Sequence, residues 1–331
     1  MRKHKNATLL ILQNIPLILF VAVFILFGLA TRNWFTLGNF ANIMTRSSYI
    51  GILAVGITLP ILTGGTDLSV GANMYLSISV AALLYRAGYA IELALLACMV
   101  VGTVFGMVNA IFVVKLKIPA FIVTIGSMTI GRGLARRITN SEQLAMPPSL
   151  VSGIGSGKLF DLIPYPVLIF GIVVLLVALF LKRTRTGRQI YAIGHDREAA
   201  VKAGIPVDRV WASSYVLCGF LAALSAIVSV AQIGSVIPGF GEGYEFNAIS
   251  ASVLGGTSLA GGVANIFPGV VIGTMLIQMV ETGLVFLQVD LYLQPLISAL
   301  VILFAVFLDS IRTGFLRKLQ ARTIRVDESL K

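Results

Sequence analysis

The chain has 331 residues, 57% of them apolar and 12% charged, with 33 glycines and a mean hydropathy of +0.94. A soluble domain carries about 25% charged residues, so a cytosolic enzyme, a disordered chain and a disulfide-stapled secreted domain are all poor fits, and the composition is that of a polytopic membrane protein. The net charge of +11 lies between apolar runs, which reads as membrane topology rather than nucleic-acid binding.

In chain order, the first apolar run, 9–30, follows the basic Arg2, Lys3 and Lys5 and is 22 residues long. As a helix it measures about 33 Å, enough to cross the hydrocarbon core, whereas signal-peptide cores run to about 7–15 residues. It reads as an uncleaved first crossing. Further apolar runs at approximately 49–63, 68–86, 91–114, 119–135, 164–181, 210–231, 247–259, 263–285 and 294–309 bring the total to about ten crossings. With the N-terminus inside, 18 of the 25 Lys+Arg fall on inner segments, leaving residues 32, 46, 86, 132, 136, 137 and 158. This bias predicts that both termini and the stretch 182–209 face the cytoplasm, with 136–163 and 232–246 facing outward. Trp34 and Trp211 fall near span ends, where indoles favour the interface.

The runs 49–63 and 247–259 are short for a crossing, and each ends at glycines. Gly64-Gly65-Thr66-Asp67-Leu68-Ser69-Val70-Gly71 is echoed 191 residues later by Gly255-Gly256-Thr257-Ser258-Leu259-Ala260-Gly261-Gly262, with five of eight positions identical. Transporters are often built from repeats whose glycine-interrupted segments mark the pathway. Two readings stand: tight turns at the cytoplasmic edge, or broken or re-entrant helices buried in protein. The short preceding runs favour the second. Asp67 is placed to N-cap a helix starting at Leu68, with a substrate contact as the alternative.

Outward, Ser152-Gly153-Ile154-Gly155-Ser156-Gly157-Lys158-Leu159 lacks the first glycine and final Ser/Thr of a phosphate-binding loop and reads as a flexible loop. Energy must therefore come from a partner or an ion gradient. In the segment 238–247, Phe240, Tyr244, Glu245, Phe246 and Asn247 combine aromatic faces with carboxylate and amide groups suited to a sugar, or form a docking loop or outer gate. Gln278 and Glu281, within the run 263–285, are candidate pathway residues. Cys98 and Cys218 lie in apolar runs without CxxC spacing, and His4 and His195 form no cluster, so metal chemistry has no ligand set.

On the inner side, Asp196 is a good N-cap, Gly204 a good C-terminal stop, and Pro206 follows. Between them 197–203 is about two helical turns, with Ala199, Ala200 and Ala203 on one face. So short a helix is unstable alone; it docks in a partner's groove or packs on its own bundle. Glu198 pairs with a partner's basic residue or caps. The basic tail, about 310–331, sets topology or meets anionic lipid.

Glu198-Ala199-Ala200-Val201-Lys202-Ala203-Gly204 resembles the EAA-xxx-G coupling segment of binding-protein-dependent ABC importer permeases. Residues 186–194, both GGT motifs, and Ile118-Pro119-Ala120-Phe121-Ile122-Val123-Thr124 resemble the ribose/xylose-type branch, related to branched-chain amino acid permeases. The resemblance covers roughly 40–310, with departures at Thr66, 263–268 and Glu281. It implies one transmembrane permease domain, 1–331, in a bacterial inner membrane, paired with a second copy or a paralogue. It also implies two cytoplasmic ATPase subunits or domains that hold ATP and Mg, no cofactor on this chain, and a periplasmic solute-binding protein delivering a sugar. The fold expected is an all-α bundle of about ten transmembrane segments, broken or re-entrant at Gly64, Gly65, Gly71 and at Gly255, Gly256, Gly261, Gly262. The alternatives are an ABC permease for branched-chain amino acids or another small polar solute, and an ion-coupled secondary transporter. The latter would centre on Glu281, with Gln278 at i−3 and Thr282 beside it, but shows no partner base.

Overall fold

A computed structural model describes residues 15–300 together with 303, 304 and 307. The start of the first run, the end of the last one and the basic tail, with the orientation expected of both termini, lie outside the described residues. The protein is an all-α polytopic bundle apart from two small two-stranded ladders. Among the described residues, five helices are long and apolar enough to cross a membrane: Leu37–Leu62, Ile91–Lys115, Tyr165–Arg183, Val207–Ile233 and Ile266–Phe286.

Helix α1 (Ile15–Ala30) packs on α11 (Val271–Phe286) through Phe27, which lies over Gly283. Buried Trp34 anchors the turn after α1, its ring 5.2 Å from Phe27 and 5.9 Å from Phe286. Helix α2 (Leu37–Leu62) has 26 residues, about 39 Å, and starts at the Thr36 N-cap. The run 49–63 is thus only the C-terminal part of a helix long enough to cross. Its polar first half is helical because its hydroxyls bond within the helix: Thr45 Oγ1 donates to the Ala41 carbonyl (2.7 Å) and Ser48 Oγ to that of Met44 (3.1 Å).

Helices α3 (Val70–Arg86), α4 (Ile91–Ala110, extended by a π turn Ile111–Lys115) and α5 (Ala120–Thr139) follow. Strand β1 (Leu144–Ala145) pairs antiparallel with β4 (Ser235–Val236), and β2 (Lys158–Leu159) with β3 (Ile163–Pro164). Residues 152–159, expected as a flexible loop, contain strand β2 and most of a π turn. The turn Pro148–Leu150 leads into the turn Val151–Gly155, which packs on α9 so closely that a side chain on Gly155 would overlap the Ala231 carbonyl.

Helix α6 (Tyr165–Arg183) leads to the short α7 (Arg185–His195) and α8 (Arg197–Lys202). Central α9 (Val207–Ile233) packs against α2, α3 and α4. Gly219 meets Gly102 and Gly106 backbone to backbone, and Asn73 Nδ2 donates to the carbonyls of Gly102 (3.1 Å) and Gly219 (3.3 Å). Such small-residue contacts let apolar helices associate where no hydrophobic force separates them from lipid. Helix α10 (Tyr244–Leu254) precedes an irregular stretch, the π turn Ile266–Val270 and α11.

Candidate translocation pathway and coupling segment

Helix α2 ends at the first GGT segment, where Gly64 takes φ +81°. Asp67 accepts from the Ser69 amide (2.9 Å) and the Ser69 hydroxyl, and Asn109 Nδ2 lies 3.4 Å from it while donating to Ser69 Oγ at 2.8 Å. All three side chains are buried. The regular part of α3 begins at Val70, but Ser69 already has helical φ/ψ and makes no side-chain cap bond, so the bond from the Ser69 amide to Asp67 is the N-cap bond of a first turn that starts at Leu68. Asn109 sits about 9 Å in from Lys115 at the end of the α4 extension, and the Tyr215 hydroxyl, pressed on Gly65, about 12 Å into α9. The segment is therefore packed among the helices of the bundle.

The second GGT segment follows α10. Gly255 packs on the backbone of Gly269 and Val270, Thr257 is buried, and Gly256, Gly261 and Gly262 all take positive φ. The two segments touch: the Gly262 N–H donates to the Leu62 carbonyl at 3.0 Å. Gly71 lies elsewhere, against the Gly241 carbonyl and Glu245.

The candidates carried by α10 divide between its different faces. Asn247 Nδ2 donates to Glu281 Oε1 at 2.9 Å, and Gln278 Nε2 to Thr282 Oγ1 at 3.4 Å. The Tyr244 ring lies 5.3 Å from Tyr49 and 6.2 Å from Phe240, which is buried beneath it. Arg46, on α2 one turn before Tyr49, donates from Nε to Asn42 Oδ1 at 3.2 Å. Glu245 is not part of this cluster. It is buried on the α5 side, paired with Arg132 at 2.7 Å, and its Oε2 has no hydrogen-bond partner. Phe246 is 61% exposed and points away from both. Sequence reasoning missed Arg46, Tyr49, Arg132 and Asn109. Charged residues in or beside apolar helices were the available signal for the two arginines.

On the coupling stretch, Thr184 caps α7 by accepting from the Gly187 amide at 3.0 Å, and Gly187, Ile190 and Ile193 face inward. This amphipathic helix was not expected. Asp196 caps α8 by accepting from the Ala199 amide at 3.0 Å. Gly204, at φ +74°, ends it with Gly204 N–H to Val201 O (3.0 Å) and Ile205 N–H to Ala200 O (3.1 Å), the paired bonds of a Schellman stop. Ala200 turns into the protein, so the three alanines do not share one docking face. Glu198, Ala199, Ala203 and the 59%-exposed Val201 remain outside. The Arg197 guanidinium lies 4.0 Å over the Trp211 ring.

A bundle of apolar helices with a polar cluster inside and a doubly capped helix held outside is the build of a multi-pass membrane transport subunit. The chain belongs to the family described as branched-chain amino acid transport system / permease component, whose family model matches residues 39–306. It is a permease, a transport subunit and not an enzyme. It is 38% identical to the ribose import permease protein RbsC of Escherichia coli (strain K12) over 304 residues, 91% of this chain and 94% of the relative. RbsC of Haemophilus influenzae is 35% identical, covering 88% and 92% of the two chains. The autoinducer 2 import system permease protein LsrC of Yersinia enterocolitica is 33% identical, covering 95% and 85%. No solved structure matches.

Proposed function

We propose that the chain is the membrane subunit of an ATP-driven sugar importer in a bacterial inner membrane, carrying a monosaccharide. The observation that carries this reading is α8. Six residues cannot hold a helix in water, yet both ends are capped and Glu198, Ala199, Val201 and Ala203 stay uncovered. A helix so prepared fits the groove of a cytoplasmic ATPase, and ATP-driven closure of two such subunits would push the bundle between outward and inward access. ATP and Mg belong to that partner. A second permease copy or paralogue and a periplasmic solute-binding protein complete the assembly, as the relatives' import systems suggest.

The chain would act as a single domain, 1–331, with about ten crossings, both termini inside and 182–209 cytoplasmic. Helix α10, with 11 residues or about 16 Å, covers about half the hydrocarbon core and supports a broken or re-entrant element at the second GGT segment. At the first, irregular backbone is buried in protein, as such backbone must be within a membrane. Tyr49, Tyr244, Asn247, Gln278 and Glu281 would line the sugar path. Rings against apolar sugar faces and carboxylate and amide groups against hydroxyls suit a polyhydroxylated solute better than a branched aliphatic one.

The test is uptake by proteoliposomes holding the chain with its ATPase and a loaded binding protein. Ribose accumulation that requires ATP supports the reading. Leucine uptake in its place selects an amino acid substrate, and uptake driven by a pH gradient without ATPase overturns the importer.

A further inference from the structure

We infer that Gly194 and His195, the last two residues of α7, form a clasp that binds both GGT segments and the coupling helix into one moving body. The inference rests on the coupling reading of α8 and adds what that helix moves.

Three strands of backbone meet at this point. The Gly262 N–H bonds the Leu62 carbonyl at 3.0 Å, joining the end of α2 to the second segment. Gly194 is wedged against both partners of that bond: a methyl group there would overlap the Leu62 carbonyl oxygen and crowd the Gly262 amide. At Gly261 a methyl would lie 3.1 Å from the Gly194 carbonyl and 3.1 Å from the Gly64 amide. Gly262 in turn lies against the His195 imidazole, and Tyr191, one turn earlier in α7, donates to the Ala264 carbonyl at 3.4 Å. One residue further, Asp196 ends α7 and caps α8.

Backbone-to-backbone contact has no side-chain slack, so a displacement of α8 passes through Asp196 and reaches both segments together. The residues before and after each segment are the ends of α2 and α10 and the start of α3. One push from outside the bundle thus acts on both glycine breaks, although 191 positions separate them. Gly194 and His195 are positioning residues: neither needs to touch solute or ATPase.

The test uses the assembled complex of permease, ATPase and binding protein in lipid nanodiscs. Spin labels at Lys202→Cys and Leu259→Cys report the distance from α8 to the second segment; both positions are exposed, and the native Cys98 and Cys218 are buried. That distance stays constant between nucleotide-free and ATP-trapped states, while the distance from Leu259→Cys to Glu92→Cys, at the far end of α4, changes. In proteoliposomes, Gly194→Ala and the milder His195→Ala retain assembly with the ATPase and its unstimulated ATP hydrolysis, and solute moved per ATP falls about tenfold for Gly194→Ala. A label distance from α8 to the segment that changes as much as the distance to α4 overturns the clasp, as does an unaltered solute-to-ATP ratio in Gly194→Ala. Failure of the native chain to assemble with any ATPase refutes the coupling reading itself and is seen before any variant is made. The label pair decides the question even where Gly194→Ala does not fold.

Discussion

Replacing Arg132 with alanine tests whether the first turn of α10 is held on α5 by a buried charge pair. Arg132 Nη2 lies 2.7 Å from Glu245 Oε1, with side-chain exposures of 18% and 2%. Glu242, 55% exposed and 4.0 Å from the same guanidinium, is too hydrated to replace Glu245 as its partner. Stripping one member from a buried pair strands the other charge at a cost of about 3–5 kcal/mol. Partial exposure of Arg132 admits water, which places Arg132→Ala near the lower end, about 3 kcal/mol. Glu245→Gln keeps the shape and a hydrogen-bonding group without the charge, and costs about 1–2 kcal/mol. The double variant strands no charge. It is therefore more stable than Arg132→Ala alone, and the double-mutant cycle returns a coupling energy of about 1–3 kcal/mol. Unfolding of the purified chain, followed by loss of helical signal on heating and in denaturing detergent, measures all four corners. Equal destabilisation in Arg132→Ala and the double variant would refute the argument and leave Glu245 held by packing against Gly71 alone.

Three further outcomes follow from the same geometry. Asp196→Ala and Gly204→Ala each remove about 1 kcal/mol of α8 order, through a lost cap and a strained positive φ; ATPase affinity falls several-fold in each while the unfolding temperature hardly moves, and unchanged affinity in both contradicts the role given to α8. Glu281→Ala leaves ATPase assembly intact and slows solute uptake several-fold to about tenfold, because a hydrogen-bonding group worth about 0.5–1.5 kcal/mol is lost; wild-type uptake removes Glu281 from the path. Gly219→Ala, whose methyl would overlap the Gly102 carbonyl, forces α9 from α4 at about 1–3 kcal/mol. Gly171→Ala on α6, with open space around it, is neutral or stabilising; equal effects in unfolding assays would dismiss the glycine contact between α4 and α9.

The crossings legible in the sequence were those with unbroken apolar runs. The runs 91–114, 164–181 and 210–231 match the helices Ile91–Lys115, Tyr165–Arg183 and Val207–Ile233 to within a turn. Hydropathy missed the first half of α2 because Thr45 and Ser48 satisfy their hydroxyls on carbonyls four residues back, a cancellation that a transfer scale does not see. It missed α7 because only Gly187, Ile190 and Ile193 turn inward from an otherwise basic surface helix. The caps of α8 were readable, since Asp196, Gly204 and Pro206 carry their conformational preferences locally. The fate of its alanines was not, because Ala200 is turned inward by its packing on the protein. In the outward segment the error was one of period. Tyr244 and Asn247, three apart, share a face of α10, whereas Glu245 lies about 100° from Tyr244 and about 200° from Asn247. Treating the segment as a loop hid that division. The pairing of Glu245 with Arg132, 113 positions away, has no local signal.

The central claim is that α8 couples this permease to a separate ATPase. Its most direct test is copurification of the solubilised chain with that ATPase, followed by ATP hydrolysis, for the native chain and for Gly204→Pro. Proline cannot take the positive φ that Gly204 adopts and has no N–H for the bond to Val201, so it dismantles the stop of α8 and little else. The account predicts that the native complex purifies intact with stimulated hydrolysis and that the variant, though folded, loses both. A native chain that purifies alone and moves solute in liposomes under a pH gradient contradicts it.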